Sequence, residues 1–259
     1  MKSTTFVIES KKTENNDLLV SRLKDSLLSH GFVLDKENPE LIFVFGGDGS
    51  LMRAVHIYDK KGKFILINTG HLGFYSDYDH DELDEFIHDF FHNEPKEEKI
   101  PFYEVDVDGE KHEFINDVAV QSGETCFIDI LIDDELLTTV RANGIVISSP
   151  IGTTGYLTSL ASPVVIGRPH VYQYSTIAPC YNRLSVNPIN KAIIDNDKKL
   201  TVVVKEGLIE SYLDGIYRED LKGKVYIFRG NDEHTVSLLH FREVSQVKRL
   251  RKNISGLED

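Results

Sequence analysis

The sequence predicts an N-terminal α/β domain built on a parallel sheet, followed by a second domain of antiparallel sheets. A chain of 259 residues has room for about two domains of roughly 100–200 residues each. Over about the first ninety residues, short apolar runs alternate with segments of helical periodicity, as in parallel α/β architectures. After about residue 100, short alternating strands separated by turn residues dominate, which indicates hairpins.

The first half alternates predicted strands and helices. The apolar runs 5–8, 41–45 and 64–67 predict strands, and the run 41–45 is apolar throughout, as expected for a strand covered on both faces. We expect Asn16 to cap the first helix and Gly31 to follow its end. Helical spacing of apolar residues predicts three helices, with apolar positions at Leu19, Leu23 and Leu27, at Leu51, Met52 and Val55, and at Leu83, Phe86, Ile87 and Phe90.

The second half is predicted to be antiparallel. Turn pairs at Asp108-Gly109, Asp133-Asp134 and Asp214-Gly215 suit tight hairpins. The predicted strands are 102–107, 114–120, 127–132, 136–140, 145–148, 200–204 and 225–228.

The domain organisation follows from the same change of pattern. We expect domains at residues 1–100 and 101–239, closely joined because no internal repeat or low-complexity linker separates them. The tail, residues 240–259, is expected to pack back on the first domain, with a basic amphipathic helix over 244–253.

Composition limits the classes of partner. With 41% hydrophobic and 27% charged residues the chain is globular, and disorder is excluded as its main state. A net charge of −13 is too acidic for non-specific nucleic-acid binding or for lying on an anionic membrane. The longest apolar run, 41–45, is far short of the ~20 residues of a membrane helix. The N-terminal residues lack the apolar core of a secretory signal, so neither a nucleic acid nor a membrane is an expected partner.

The two cysteines, Cys126 and Cys180, belong to no CxxC or Cys/His cluster. This spacing argues against a disulfide framework and a zinc site, and it favours the reducing cytoplasm as the compartment. An acidic protein of this kind can still bind an anionic small molecule, but it must use backbone N–H groups, helix N-termini, a cation or a few placed basic residues.

The loop Gly46-Gly47-Asp48-Gly49-Ser50 lies between a buried strand and a helix. Glycines let the backbone turn at the carboxyl end of a parallel strand, where ligands bind in open α/β sheets, and the next helix offers N–H groups to a phosphate. The carboxylate of Asp48 would repel a phosphate, so it suits a general base or an anchor for Mg²⁺. The alternative is a plain acidic β-turn.

A second loop, residues 68–74, follows the next predicted strand and should lie beside the first loop. Its glycines permit close backbone approach, and Phe74 offers an aromatic face for a base. His71 is a candidate acid or base by residue type only. The alternative is an ordinary strand-to-helix connection with Phe74 in the core.

An Asn116-Asp117 pair interrupts the apolar run 114–120. Adjacent strand residues point to opposite faces, so one of the pair would face a core unless the strand bends or ends in a cleft. An amide beside a carboxylate suits the vicinal hydroxyls of a ribose. The alternative is a strand edge or bulge that exposes both side chains.

Hydroxyl residues and glycines fill the segment 148–156, SSPIGTTGY, with Ser159 one helical turn further on. Where they enter a helix, Thr154, Ser159 and backbone groups could hold a base edge and a phosphate. The alternative is a helix start capped by Thr153 or Thr154, and both interpretations can hold together.

Taken together, the four motifs resemble the NAD kinase family. GGDGS, NTGHLGF, the ND pair and ANGIVISSPIGTTGY occur in that order over roughly residues 41–215. Phe241, Arg242 and residues 248–250 in the tail are also similar to the family. The GGDG loop alone is not specific, because it also occurs in lipid kinases and phosphofructokinases.

The resemblance implies a Rossmann-like N-terminal domain and a C-terminal antiparallel β-sandwich that binds NAD and mediates oligomerisation. It further implies a homotetramer, a dimer of dimers, whose NAD site is built between subunits. The implied reaction transfers the γ-phosphoryl group of ATP to the 2′-hydroxyl of the adenosine ribose of NAD, which gives NADP. A divalent metal, expected to be Mg²⁺, accompanies ATP, and no residue is assigned as its dedicated ligand.

The resemblance also implies the site residues. Asp48 matches the catalytic Asp that activates the 2′-hydroxyl, and Gly46, Gly47 and Gly49 form the phosphate loop. Asn116 and Asp117 match an Asn-Glu pair, so the acid is one methylene shorter here. The implied NAD-binding residues are Asp48, Gly49, Phe74, Asn116, Asp117, Arg141, Asn143, Thr154, Gly155, Tyr156, Ser159 and Ser175.

Four positions depart from the family pattern. Asn143 stands where Asp is usual, which removes a charge from the dinucleotide contacts. Gly155 stands where Ala is usual, and Ala161-Ser162 occupies a normally glycine-rich place. Ser50 replaces Thr and keeps the hydroxyl.

These departures leave two alternatives to the kinase hypothesis. One is a non-catalytic NAD(P)-binding regulatory paralogue that kept the pocket and lost turnover. The other is a GGDG-type kinase for a lipid or sugar hydroxyl, which would leave the Asn116-Asp117 pair and residues 154–159 without a role. The sequence does not decide whether ATP, another nucleotide or polyphosphate is the donor.

Overall fold

The computed structural model describes residues 3–58, 61–70, 73–167, 169–181, 188–207, 209–243 and 245–255. The chain divides into two compact units. Unit 1 contains Met1–Ile100 and Thr235–Asp259, and unit 2 contains Pro101–His234. Unit 1 is therefore made of two separate chain segments.

Unit 1 is a parallel sheet with helices. Its strand order is β2-β1-β3-β4, every neighbouring pair is parallel, and both β5 and the end of β15 pair in parallel with β4. Leu23 of α1, Phe43 of β3 and Phe86 of α3 are fully buried in its core. The elements are β1 (Thr5–Ser10), α1 (Glu14–Ser29), β2 (Val33–Leu34), β3 (Leu41–Phe45), α2 (Asp48–Tyr58), β4 (Lys63–Asn68), β5 (Tyr78–Asp79), α3 (Leu83–His92), the start of β6 (Lys96–Val107), the end of β15 (Val225–His240) and α5 (Gln246–Leu250).

The boundaries of two unit 1 helices differ from expectation. The N-cap of α1 is Thr13, whose side chain accepts from the N–H of Asn16, so the prediction of Asn16 as the cap is wrong. Asn16 is buried inside the first turn instead, while Gly31 adopts φ +84° just after the helix, as predicted. The tail helix α5 is shorter than predicted and continues into a π-helical turn, Arg251–Ser255, whereas Val244 lies outside the described residues.

Unit 2 consists of antiparallel strands in two layers. The sheet order is β11-β10-β9-β8-β12-β15, β13 also pairs with β8, and β6 pairs with β7 and β15. Val120, Ile145 and Tyr172 belong to the core between the layers. The elements are the rest of β6, β7 (Glu110–Phe114), β8 (Asp117–Ile132), β9 (Glu135–Ser148), α4 (Tyr156–Ser159), β10 (Val171–Ile177), β11 (Lys191–Asp195), β12 (Leu200–Val204), β13 (Ile209–Leu213), β14 (Ile216–Tyr217) and most of β15.

The predicted run 114–120 is not one strand. It breaks at a bend over Ile115 and Asn116, because the backbone N–H groups there bind a carboxylate instead of a neighbouring strand. The runs 127–132 and 136–140 lie within the long strands β8 and β9, which pair over most of their length with a register irregularity between Gln121 and Cys126. Sequence patterns missed β10, β11 and β13, where polar residues interrupt the alternation, and the two-residue strands β2, β5 and β14.

The predicted fold class is confirmed: an α/β unit with a parallel sheet and an antiparallel β-sandwich unit. Asp108, Asp133, Asp134 and Asp214 all have positive φ, as the predicted turns require. Among the residues that the structure describes, none of the helices is long and apolar enough to span a bilayer.

Candidate active site

The GGDG loop turns the chain from the end of β3 into the start of α2. The N–H of Gly46 donates to the carbonyl of Ile67 over 3.1 Å, which ties the loop to β4. The carbonyl of Gly47 accepts from the N–H of Ser50 at 2.8 Å, so the helix closes directly on the loop. A Cβ at position 46 would lie 2.2 Å from Oγ of Ser50, which excludes any larger residue there.

The loop after β4 lies beside the GGDG loop, as predicted. The N–H of Thr69 donates to the carbonyl of Gly46 at 3.4 Å, and a Cβ on Gly70 would stand 3.5 Å from the Cα of Gly47. Oδ1 of the buried Asn68 accepts from the N–H of Gly70 at 3.0 Å, which stabilises the turn. His71 lies outside the described residues.

The half-buried carboxylate of Asp48 is bound by two backbone N–H groups of this second loop. The N–H of Phe74 lies 3.2 Å from each carboxylate oxygen, and the N–H of Tyr75 lies 3.4 Å from Oδ1. Burial raises the pKa of Asp48 to about 6, although these N–H groups and the positive charge of Arg249 act to lower it. The carboxylate is therefore mostly ionised at pH 7, yet more basic than an exposed Asp.

A cation from the C-terminal tail fixes the same loop from the other side. Nη1 of Arg249 donates to the carbonyl of Phe74 at 3.0 Å, and Nη2 pairs with Asp77 at 2.5 Å. Asp77 also accepts from Nδ1 of His240 at 2.9 Å. Burial lowers the pKa of His240, but hydrogen bonds to Asp77 and Glu98 outweigh it and raise the pKa to about 9.

Other tail residues bind the same stretch. Nδ2 of Asn253 donates to the carbonyl of Gly73 at 3.1 Å, and Lys252 forms an ion pair with Asp79. Residues 248–250 resemble the family pattern described above, but the sequence does not assign Arg249 a role. The basic character of the tail is the other sequence signal for this residue.

In unit 2, the side chains of Asn116 and Asp117 meet although the residues are neighbours in the chain. Nδ2 of Asn116 donates to Oδ2 of Asp117 at 3.0 Å. Asn116 lies in the bend before β8 and Asp117 is the first residue of the strand, so the rule of opposite faces does not apply to the pair. The sequence leaves open whether the strand bends at this pair, and the structure contains a bend there.

The carboxyl group of Asp117 is buried, with an exposed fraction of 6%. Burial, followed by the negative charge of Asp214, raises its pKa to about 7, while the amide of Asn116 acts to lower it. Its charge is therefore sensitive to pH near neutrality.

The segment 148–155 packs directly against this pair. The N–H of Ser149 and Oγ of Ser148 both donate to the carbonyl of Asn116, at 3.0 and 3.2 Å. A Cβ on Gly155 would lie 3.4 Å from Nδ2 of Asn116 and 3.5 Å from Oδ2 of Asp117. Asn116, Asp117 and Gly155 are thus brought together from two distant parts of the sequence.

The predicted capping role of Thr153 or Thr154 is wrong. Residues Ile151–Thr154 form a 3-10 turn, and the N-cap of α4 is Gly155, which has no side chain to cap with. Oγ1 of Thr153 donates to the carbonyl of Pro150 at 2.9 Å and accepts from the N–H of Val165 at 3.0 Å. The threonine hydroxyl stabilises the loop rather than the helix start.

Three predicted residues follow on the same segment. Oγ1 of Thr154 is 3.5 Å from the carbonyl of Ile151, and Oγ of Ser159 donates to the carbonyl of Tyr156 at 2.7 Å. Tyr156 packs beside Leu157 on a small apolar cluster of the sheet. Their hydroxyl and aromatic groups therefore lie along one short stretch next to Gly155.

Arg141, Asn143 and Ser175 stand apart from the Asn116–Asp117 pair. The guanidinium of Arg141 lies 5.8 Å from the ring centre of Phe127, and Nδ2 of Asn143 donates to the carbonyl of Ser122 at 3.4 Å. Ser175 pairs with Val146 between β10 and β9 and is fully buried. Its Oγ has no hydrogen-bond partner among the described residues.

The fold, the cluster around Asp48 and the cluster around Asn116 and Asp117 together define a structural class of protein. An acidic glycine loop stands at the C-terminal edge of a parallel sheet, and a buried amide–carboxylate pair stands in an antiparallel sandwich, all within one chain. Such proteins combine a Rossmann-like domain with a β-sandwich domain.

Comparison with known proteins identifies the family. Residues 9–95 match the ATP-NAD kinase N-terminal domain, and residues 115–236 match the ATP-NAD kinase C-terminal domain. The chain is 31% identical to NAD kinase 1 of Bacillus cereus over 189 residues, which is 69% of this chain and 71% of the relative. It is 29% identical to the NAD kinase of Lactobacillus helveticus over 231 residues, 86% of this chain and 85% of the relative. The chain belongs to the NAD kinase family.

Solved structures share the fold. Yeast NADH kinase in complex with NADH superposes with a TM-score of 0.78 at 16% identity, covering 98% of this chain and 88% of that chain. An NAD kinase from Archaeoglobus fulgidus in complex with ATP gives a TM-score of 0.76 at 18% identity, covering 98% of this chain and all of that chain.

Proposed function

We propose that this chain transfers the γ-phosphoryl group of ATP to the 2′-hydroxyl of the adenosine ribose of NAD, which produces NADP. Both domain matches support this function, and they give no support to a lipid or sugar acceptor. The observation that argues for it most strongly is the carboxylate of Asp48, bound by the N–H groups of Phe74 and Tyr75 at the C-terminal edge of a parallel sheet. The relatives named above support ATP as donor and a pyridine nucleotide as acceptor.

Asp48 is the general base in this proposal. A base works best when its pKa lies near the working pH, and burial brings the pKa of Asp48 to about 6. The ionised carboxylate removes the proton of the 2′-hydroxyl as its oxygen attacks the γ-phosphorus, the bond from that phosphorus to the β–γ bridging oxygen breaks, and ADP leaves. The two N–H groups keep the carboxylate oriented: Oδ1 accepts from both of them, whereas Oδ2 accepts from that of Phe74 alone and keeps capacity for one more hydrogen bond.

The Asn116–Asp117 pair holds the ribose hydroxyls of the dinucleotide. The ionised carboxylate accepts from a hydroxyl, and the amide offers both a donor and an acceptor. We assign the dinucleotide contacts to the residues inferred from sequence: Gly49, Phe74, Arg141, Asn143, Thr154, Gly155, Tyr156, Ser159 and Ser175, in addition to Asp48 and the pair.

The phosphates are held by backbone groups and by the cation that arrives with ATP. Gly46, Gly47 and Gly49 let the backbone approach the phosphates, and the N-terminus of α2 favours their charge. Among the described residues, no group of three or more His, Cys, Asp or Glu side chains could hold a metal ion. In this proposal Mg²⁺ takes most of its ligands from phosphates and water and enters as part of the substrate MgATP.

The remaining assignments follow from the same family resemblance. Residues 1–100 and the tail bind the nucleotide donor, and the sandwich domain binds NAD and forms the contacts of a homotetramer. The enzyme works in the cytoplasm.

The test is NADP formation by the purified protein from NAD, ATP and Mg²⁺. The Asp48→Asn variant should lose about 10²–10⁴-fold in kcat and still bind NAD, because Asn has nearly the same shape and keeps one oxygen but cannot act as the base. A variant with full activity would exclude Asp48 as the base. Repeating the assay with other nucleoside triphosphates, polyphosphate and NADH defines the range of donors and acceptors.

One rival function is motivated by Asn143 and by Ala161, which holds φ +51°. A non-catalytic regulatory paralogue would be stabilised by NADP in thermal unfolding but would form no NADP with any donor or metal. Turnover by the wild-type protein dismisses it.

A further inference from the structure

Asp214 binds the backbone on which the Asn116–Asp117 pair stands. It follows the last residue of β13 and adopts φ +51° in the turn to β14, where it is 3% exposed. Its carboxylate accepts from three consecutive N–H groups, those of Ile115 at 3.1 Å, Asn116 at 2.7 Å and Asp117 at 3.1 Å. Its own N–H donates to the carbonyl of Asp117 at 2.8 Å.

These bonds explain how two adjacent side chains come together. A regular strand would send the side chains of Asn116 and Asp117 to opposite faces. The Asp214 carboxylate satisfies N–H groups that would otherwise need a neighbouring strand, so the backbone can bend before β8 without leaving buried donors unpaired. The bend allows Nδ2 of Asn116 to reach Oδ2 of Asp117.

Asp214 also acts on Asp117 through its charge. After burial, the negative charge of Asp214 is the second cause of the raised pKa of Asp117. The other elements packed on Asp117 are β9, which faces it with Ser148, and the segment 148–155, whose sequence SSPIGTTG contains no titratable side chain. Within the described residues, the charge that faces Asp117 therefore comes from the β13–β14 turn.

We propose that Asp214 is a positioning residue for NAD recognition, one that holds the Asn116–Asp117 pair in its ribose-binding geometry. The proposal rests on the assignment of that pair to the ribose. Asp214 does not touch the dinucleotide; it acts through the backbone of residues 115–117 and through its field.

The experiment compares Asp214→Asn with a matched control, Asp108→Asn. Asp108 also occupies an Asp-Gly turn of unit 2 at φ +50°, and its carboxylate also accepts backbone N–H groups, from Lys224 and Val225. Both variants remove one carboxylate charge from a tight turn. Of these two aspartates, only Asp214 contacts the Asn116–Asp117 backbone, so an effect on NAD recognition should appear in Asp214→Asn and not in Asp108→Asn.

The KM for NAD and the pH midpoint of NAD binding distinguish the effect of Asp214 on the backbone geometry of the pair from the effect of its charge on Asp117. At pH 8.5 Asp117 is ionised in both proteins, and the KM for NAD of Asp214→Asn should rise about tenfold or more while the KM for ATP stays within about twofold. Across pH 5.5–8.5, the midpoint below which NAD binding weakens should lie near 7 in the wild type and move to lower pH in the variant. The reason is that removing a neighbouring negative charge lets Asp117 ionise more easily.

The Asp108→Asn control should leave both quantities unchanged. A KM for NAD within twofold of wild type, a midpoint that does not move, or equal changes in Asp108→Asn would each overturn the proposal. If Asp214→Asn fails to fold, Asp214→Glu serves instead, because it keeps the charge and displaces the carboxylate. The KM for NAD should then rise with the midpoint near that of the wild type, and an unchanged KM overturns the proposal.

Calorimetric titration of the same variants with NAD separates this inference from the proposed function. If the wild type forms no NADP, the kinase assignment fails, while the NAD dissociation constants and their pH dependence still test Asp214.

Discussion

Nη1 of Arg249 donates to the carbonyl of Phe74 over 3.0 Å, and the N–H of the same Phe74 donates to the carboxylate of Asp48 over 3.2 Å. One residue of the second loop is thus held between the tail and the proposed base. The two residues in the first of these bonds are 175 positions apart in the chain. The tail is therefore part of the environment of Asp48.

The first prediction concerns this arrangement. Arg249→Gln removes a positive charge that lowers the pKa of Asp48, so that pKa should rise above 6, and the pH below which kcat falls should rise with it. The variant should also lose about 1.5–3 kcal/mol of unfolding free energy, because the buried Asp77 loses one charged hydrogen-bond partner and keeps His240. Lys248→Gln, the neighbouring exposed cation, is the control and should change neither the pH profile nor the urea midpoint. An Arg249→Gln profile that overlays the wild type would contradict the assigned coupling.

The second prediction is the pH dependence of the wild-type enzyme. The base works only when ionised, and its pKa is about 6, so log kcat at saturating NAD should be level above pH 7 and fall with a slope of one below about pH 6. Initial rates of NADP formation between pH 5 and 8.5 measure this directly. A rate that is independent of pH down to 5 would argue against a carboxylate base with a raised pKa.

The third prediction compares two glycines of the segment 148–155. A Cβ on Gly152 would lie 2.1 Å from the carbonyl oxygen of Asn116, which backbone movement alone can relieve. At Gly155 the nearest atom is the carbonyl oxygen of Gly152, 3.2 Å away. Gly152→Ala should therefore cost about 1–3 kcal/mol of stability and raise the KM for NAD, and Gly155→Ala should do much less of both. Chemical denaturation and steady-state kinetics measure the two losses in each variant. A Gly155→Ala variant that is more damaging than Gly152→Ala would contradict the prediction.

The fourth prediction concerns Ala161, one of the departures from the family pattern. Its φ of +51° lies in the left-handed region, which a Cβ disfavours. Ala161→Gly should raise the unfolding free energy by about 0.5–1 kcal/mol, visible as a higher Tm, because the release of strain outweighs the added flexibility of the unfolded chain. Ala178→Gly, at φ +45°, gives a second example of the same change at an unrelated turn. A lowered Tm in both variants would show that neither backbone is strained.

The sequence was sufficient for the three longer parallel strands, β1, β3 and β4, and for the loops that follow β3 and β4. The apolar runs 41–45 and 64–67 fall within neighbouring strands, so the GGDG loop and the loop of Phe74 had to lie side by side. This part was predictable because consecutive strand–helix units place their loops at one edge of the sheet.

The long-range partners of the candidate site were not predictable in the same way. Asp108-Gly109 and Asp214-Gly215 look alike as turn signals, and only the fold shows that Asp214 reaches Asn116, 98 positions earlier. The bend at Ile115 was left open by the sequence, because the Asn116-Asp117 pair interrupts the apolar run 114–120 without showing whether the strand bends there. Local patterns report the chain's own periodicity, whereas these bonds depend on which strands become neighbours.

The two-segment construction of unit 1 has a consequence for synthesis on the ribosome. Leu238 pairs with Phe64 beside β4, and Arg249 reaches Phe74, so both partners emerge long after the GGDG loop has been translated. While these residues are still inside the ribosome, Asp48 lacks the positive charge of Arg249, and β4 lacks its pairing with the end of β15. The surroundings of Asp48 are therefore complete only after residue 249 has been translated.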